Sequence, residues 1–246
     1  MSATNRGTQT RDPEDFYRTP DECVETIWPH LQLGHAARIV DAGCGDGAIL
    51  SVVARLGVRT HKLTGVELNG GRAERARALE IPGAAIVCAD YLTWGESQAI
   101  RYRGGPKPFD LAIGNPPYSL AMDFVQAPLK IADTVAMLLR LPWLASQGRA
   151  DWLRAHTPSV YVLPKRPEFV MSVKCVKLAA RKRGEKNQEP IPFKGECSYQ
   201  EYRPMAAERP RACPLCGSKV TIITSDATDY GWFLWGGRRQ AFVHIL

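Results

Sequence analysis

Apolar residues along this chain fall into short clusters, separated by glycine, proline or charged breaks. "ARIV" is a β-branched run, followed by the glycine-rich "DAGCGDG" and the apolar-faced helical pattern "AILSVVARL". The unit then repeats. "KLTGVEL" predicts a strand and "GGRAERARALE" a helix; "AAIVCADYL" predicts a third strand with its loop, and "FDLAIGNPPY" a fourth. "MDFVQAPLKI" predicts a helix, "TVAMLLRLPWL" a fifth strand, "GRADWLRAH" a helix and "SVYVLP" a sixth strand. The continuous apolar character of the fifth is that of a strand buried on both faces. Strands alternating with helical segments imply βαβ units and a doubly wound α/β fold with a mostly parallel sheet. Ahead of the first strand, Thr19-Pro20-Asp21-Glu22 predicts a helix start, with a hydroxyl cap and proline at the first helical position.

The alternation lapses after about Phe169. "RKRGEKNQEPIPFKGE" has few large apolar residues and no period; patterning returns with "KVTIIT" and then "YGWFLW", a late strand. The expected organisation is a core over residues 1–170, an insertion over 171–224, and a return strand and tail over 225–246. At 246 residues and 45% apolar, one domain with an insertion is the natural reading. No apolar run is long enough to span a membrane, and the polar N-terminus has no signal-peptide core. A cytoplasmic location is the default expectation.

Charge changes this picture in one place. The net charge is +7. Between Lys165 and Lys219 there are 13 Lys and Arg against six Asp and Glu, so this segment carries the whole excess. A polyanion would be drawn to that segment. Four of the seven cysteines, Cys175, Cys197, Cys213 and Cys216, fall in the same stretch. Without a secretory leader, such a grouping favours metal over disulfides.

The chemistry starts at the glycine turn. Gly43, Gly45 and Gly47 lie between a strand and a helix, where the backbone can turn sharply and approach a ligand. Asp41 precedes them and would repel a pyrophosphate, so a neutral or cationic ligand suits the turn better. Glu67 ends the second strand, where a carboxylate can take two ribose hydroxyls. Asp90 ends the third, placed to accept from an exocyclic amine.

These residues resemble the motifs of the AdoMet-dependent methyltransferase family. The resemblance implies a seven-stranded Rossmann-like sheet and S-adenosylmethionine as cofactor. Asp41, Ala42, Gly43, Cys44 and Gly45 look like its first motif. Glu67, with Leu68 beside it, looks like the ribose acid, and Asp90, with Tyr91, the adenine acid. Tyr17, Thr19 and Pro20 in "FYRTP" are similar to the segment beside the cofactor's methionine part.

"NPPY" at the end of the fourth strand is similar to the family's signature for methylating a planar amino nitrogen. Such a nitrogen is a poor nucleophile because its lone pair is delocalised. Acceptors on its two N–H groups would draw it out of conjugation. Asn115 offers a side-chain carbonyl and Pro116 a backbone one; Pro116 and Pro117 hold both still. Tyr118 would stack on the target ring. The family uses this signature for adenine in DNA or RNA and for protein glutamine.

"LPKRPEF" and "SDATDYGWFLW" resemble phage and prophage N6-adenine DNA methyltransferases. Double-stranded DNA with a flipped adenine is therefore the leading expectation. RNA adenine and protein glutamine stay open as alternatives. Phe169 is a candidate second aromatic for the base, or a core residue. Arg181, Lys182 and Arg183 are candidates for phosphate contacts. "CPLCG" looks like half of a zinc ribbon, so structural Zn²⁺ on Cys175, Cys197, Cys213 and Cys216 is expected, in a small zinc-ribbon-like module.

Overall fold

The computed structural model describes residues 16–167, 169–175, 200–204, 211–224, 228–236 and 243–245. The chain divides into two compact units, residues 1–165 with 228–246, and residues 166–227.

The first unit is built on one sheet. Its strands are β1 (Ile39–Ala42), β2 (Leu63–Glu67), β3 (Ala85–Cys88), β4 (Phe109–Gly114), β5 (Ala132–Arg140) and β6 (Ser159–Val162). The second unit holds β7 (Val170–Cys175), β8 (Gln200–Pro204) and β9 (Val220–Thr224), an antiparallel trio with β7 in the middle. The chain then returns to the main sheet as β10 (Tyr230–Gly236) and β11 (Val243–Ile245). Main-sheet order is β11-β6-β10-β5-β4-β1-β2-β3. All neighbours are parallel except β10, which runs antiparallel to both β5 and β6.

The seven expected strands are all present, and β11 extends the edge beyond β6 as an eighth. Three residues are too few to carry a readable period, so this strand exists only through its pairing with β6. Helices α1 (Asp21–Leu31), α2 (Ala48–Arg55), α3 (Gly70–Ala78), α4 (Tyr91–Arg101), α5 (Ala121–Gln126) and α6 (Ala150–Ala155) flank the strands in the chain.

Four local expectations are corrected. Helix α4 replaces the loop expected after the third strand; Asp90 caps it, accepting from the Leu92 and Thr93 amides. The helix expected over "MDFVQAPLKI" stops at Gln126 and gives way to a 3₁₀ turn from Pro128, because proline has no N–H for the α-helical bond. The fifth strand ends at Arg140, and Leu141–Leu144 turn as 3₁₀ around Pro142 for the same reason. Helix α1 starts one residue late. Pro20 is its N-cap and offers no side-chain cap, while Thr19 is buried and lines the cavity described next.

The core is densest along β4 and β5. Leu111, Ala112, Ile113, Val135, Ala136, Met137, Leu138 and Leu139 are all fully buried, as strands covered on both faces require. Strand order reverses between β1 and β4, which pair directly, with Asp41 beside Ile113. Ligands of doubly wound sheets bind at such a switch point, beyond the carboxyl ends of the strands.

Candidate active site

At that switch point lies a cavity of about 610 Å³. Tyr17, Thr19, Gly43, Cys44, Glu67 and Leu68 line it, as do Asp90, Tyr91, Asn115 and Pro117. All ten come from the residues singled out in the sequence. Pro20, Asp41, Ala42, Gly45, Pro116 and Tyr118 do not form its wall. Asp41, Ala42, Gly45 and Pro116 are buried.

The glycine turn is held from below and from the side. Gly43, Gly45 and Gly47 have φ of +72°, +56° and +84°, a region that side chains disfavour. The Cys44 amide donates to the Val66 carbonyl at 2.9 Å, stitching the turn to the end of β2. The Gly45 amide donates to Glu67 Oε2 at 2.9 Å. Behind the turn sits Asp41, fully buried, with no hydrogen-bond partner on either carboxylate oxygen. Burial pushes its pKa well above the usual carboxylate range, and the nearby charges of Glu67 and Asp46 push it further. A buried polar group left unsatisfied is costly and concentrates at functional sites.

Glu67 is almost fully buried and accepts three hydrogen bonds beside an ion-pair contact. Besides Gly45, the Asn69 amide donates to Oε1 at 2.8 Å and Arg72 Nε donates to the same oxygen at 2.9 Å, with Arg72 Nη2 in ion-pair contact with it at 2.9 Å. The Phe16 ring lies over the Arg72 guanidinium, 4.8 Å from its centroid. Asp90 accepts from the Thr93 hydroxyl at 2.7 Å, and this bond holds its carboxyl below the usual range. The Tyr91 hydroxyl is buried without a partner, and burial raises its pKa.

Asn115 stands at the tip of β4. Its Nδ2 donates to the Tyr17 carbonyl at 3.0 Å, and its Oδ1 accepts from the Tyr118 hydroxyl at 3.3 Å. A backbone carbonyl can only accept, so the amide nitrogen must face Tyr17. The oxygen therefore points the other way. Tyr118 is set by three neighbours. Its ring stacks on Tyr17 with centroids 5.9 Å apart and planes 22° apart, and it lies tilted against Tyr230. The Arg140 guanidinium lies 4.5 Å from the Tyr118 centroid, and Arg140 Nε donates to the Tyr230 hydroxyl at 3.0 Å.

Sequence reasoning missed Phe16, Arg18, Asp46, Asn69, Arg72 and Phe124, which also line the cavity. Asp46 was inside the quoted glycine motif, and its ion pair with Arg18 at 3.0 Å joins that motif to the "FYRTP" segment. Arg72 is one of several arginines in α3, and nothing in its local sequence distinguishes it. Only its distance to Glu67 sets it apart.

Phe169 belongs to the 166–227 unit and is buried. In that unit Cys213 is buried and Cys216 exposed. They bracket a tight turn, with the Gly217 amide donating to the Cys213 carbonyl and the Cys213 amide to the Ser218 carbonyl, both at 2.8 Å. Gly217 has φ +67°, which the turn needs. Among the described residues, no group of three His, Cys, Asp or Glu side chains could hold a metal. Cys197 and Arg181, Lys182 and Arg183 lie outside the described residues, and so does the Cys175 side chain.

The fold is that of the S-adenosylmethionine-dependent methyltransferases. A Listeria monocytogenes protein assigned to class I of these enzymes superposes over 98% of this chain and 68% of its own, with a TM-score of 0.54 at 11% identity. A Pyrococcus horikoshii protein assigned as an RNA methyltransferase matches over 91% and 88%, TM-score 0.51, at 15% identity. A Vibrio vulnificus protein assigned as the modification subunit of a type I restriction enzyme matches over 94% and 47%, TM-score 0.52, at 12% identity. In sequence, the chain is 28% identical over 123 residues to a type II methyltransferase of Thermus thermophilus. That match covers 50% of this chain and 25% of the relative, so the chain spans about a quarter of its length. No family model matches the chain. Among the described residues, no helix is long and apolar enough to cross a membrane.

Proposed function

We propose that this protein transfers the methyl group of S-adenosylmethionine to the N6 amino group of an adenine in DNA. The observation that carries this reading is the locked Asn115 amide. Its nitrogen is committed to Tyr17, so its oxygen is the atom left to accept from an incoming amine.

The cavity fits the cofactor in size and in kind. Its wall carries the carboxylates of Asp46, Glu67 and Asp90, the first two ion-paired with Arg18 and Arg72, so it offers polar partners rather than a strong net charge. Leu68, exposed at the rim, offers an apolar surface to an adenine ring. Tyr17 and Thr19 would stand beside the methionine part, and Glu67 at the ribose. When bound, the cofactor supplies an electrophilic methyl on sulfonium.

The chain's own residues prepare the nucleophile. Asn115 Oδ1 and the Pro116 carbonyl accept from the two N–H groups of the target amine, which frees its lone pair for the methyl carbon. With the cofactor bound, a nitrogen so prepared would take the methyl carbon as its bond to sulfur broke, and the surplus proton would leave to solvent. Because the acceptors are held by Tyr17 and by two prolines, they need not reorganise during transfer. Tyr118 orders the target ring.

DNA is favoured as substrate by the positive excess of Lys165 to Lys219 and by the relatives, a type II methyltransferase and the assigned restriction-modification subunit. Arg181, Lys182 and Arg183 would hold phosphates. The assigned RNA methyltransferase among the structural neighbours keeps RNA adenine as the second reading. For Cys213 and Cys216, the tight turn closed by Gly217 just after them supports a zinc knuckle, completed by Cys175 and Cys197.

Duplex DNA, RNA and a glutamine-bearing protein are each incubated with the protein and S-adenosylmethionine, then digested for nucleoside and amino-acid analysis. N6-methyladenine in the DNA alone is the expected product. Methyladenine in RNA only, methylglutamine, or no methylated product would overturn the reading.

A further inference from the structure

Glu67 Oε1 has no hydrogen-bonding capacity to spare. A carboxylate offers about four lone-pair sites, two on each oxygen. Here Oε2 accepts from the Gly45 amide alone, while Oε1 accepts from the Asn69 amide and Arg72 Nε and is also in ion-pair contact with Arg72 Nη2. The pair is well enclosed, with side chains 13% exposed for Arg72 and 5% for Glu67. Two of these four partners are backbone amides. Gly45 belongs to the glycine turn, and Asn69 caps α3 through the Arg72 amide at 3.0 Å. Neither can leave without opening the turn or the helix start. The other two are on one side chain, which can move by rotating its own bonds.

Phe16 closes this arrangement. Its ring covers the Arg72 guanidinium and also presses on the glycine turn. A Cβ on Gly45 would stand 2.3 Å from a Phe16 ring carbon. Phe16 and Arg72 both line the cavity.

Resting on the reading that the cavity takes S-adenosylmethionine, we propose that Arg72 is a displaceable occupant of the ribose position. It holds the place on Oε1 that one of two ribose hydroxyls requires. The cofactor seats both hydroxyls on Glu67 only by exchanging one of them for the guanidinium. The affinity of a site that must first open is lowered by the fraction that is open. Arg72, clamped by Phe16, therefore weakens cofactor binding and makes the ribose the part of the ligand that is sensed. A cation that instead held the ligand would have the opposite effect.

The test is titration calorimetry with two ligands, S-adenosylhomocysteine and its 2′,3′-dideoxy analogue. Wild type is compared with Arg72→Met, which keeps an apolar stem under Phe16, and with Phe16→Leu, which leaves the ion pair but removes its cover. The folded state of each variant is checked by circular dichroism. S-Adenosylhomocysteine should bind Arg72→Met about three- to tenfold more tightly than wild type, the size expected if opening is modestly unfavourable. Phe16→Leu should shift the same way by less. The dideoxy analogue should bind Arg72→Met and wild type alike. Weaker or unchanged binding of S-adenosylhomocysteine to either folded variant overturns the proposal, as does equal tightening for both ligands. Wild type that binds neither ligand overturns the reading of the cavity itself, and the proposal with it.

Discussion

The side-chain amide of Asn115 is bonded to the backbone carbonyl of Tyr17, 98 residues away in sequence, at 3.0 Å. This one bond sets which end of the amide is turned away from Tyr17. Asn115→Ala removes the acceptor, and transfer should slow by about 10²–10³, the scale of losing one preorganised hydrogen-bonding group. Asn115→Asp sets a carboxylate oxygen against the Tyr17 carbonyl, two acceptors face to face, and should be at least as slow. Single-turnover rates, with cofactor affinity measured separately, check both.

Arg140 acts on the same amide at one remove. Its guanidinium covers the Tyr118 ring, and the Tyr118 hydroxyl donates to Asn115 Oδ1. A cation over an aromatic face contributes about 0.5–2 kcal/mol. Arg140→Ala should therefore lower the transfer rate several-fold while leaving cofactor affinity intact, with partial recovery in Arg140→Lys. Steady-state kinetics with varied DNA separates the terms; an unchanged kcat in Arg140→Ala counts against the positioning role.

Asp41 makes stability depend on pH in a definite direction. A carboxyl whose folded-state pKa is raised destabilises the folded chain wherever it is ionised. That penalty is absent below the unfolded-state pKa of about 3.9 and grows as pH rises to the raised folded-state value. Asp41→Asn removes the charge but leaves a buried amide without partners, which adds a constant offset. The melting temperature of Asp41→Asn relative to wild type should therefore rise steadily from about pH 4 upward. A difference that stays flat with pH would mean that Asp41 is not the group responsible. Thermal melts over a pH series give the slope.

Gly114 ends β4 just before Asn115, and its neighbour β1 is very close. A Cβ there would stand 2.8 Å from the Ala42 carbonyl oxygen, a backbone atom that cannot move aside alone. Gly114→Ala should destabilise by about 1–3 kcal/mol, the usual range for forced overpacking. Urea denaturation reads this directly. Because the strand tip shifts with it, the transfer rate should drop as well.

Metal analysis of protein purified without added zinc addresses the cysteine turn. One zinc per chain is expected in the wild type, and none in Cys213→Ser. A wild type free of zinc would end that proposal.

Much of the main sheet was legible because its signals are local. β-Branched runs, a glycine turn and a double proline act on their own few residues, so seven strands and the strand tips could be read directly. Helix α4 was not legible, because "YLTWGESQAI" has a weak apolar face and its start depends on Asp90 turning from a strand-tip acid into a cap. Thr19 carried the pattern of a cap, yet burial in the cavity wall took it elsewhere.

What the amino-acid order determined by itself is the set of chemical groups at the strand tips: Asp41 and the glycines, Glu67, Asp90, and Asn115 with its prolines. Each is placed by the period and the breakers of its own segment. Which of these groups is free and which is occupied was decided only by tertiary structure. Tyr17 orients Asn115, Arg72 occupies Glu67 Oε1, and Asp41 is left without a partner because of what packs around each. Hydrogen-bonding capacity is spent across space between residues far apart in the chain, and no local pattern records who spends it.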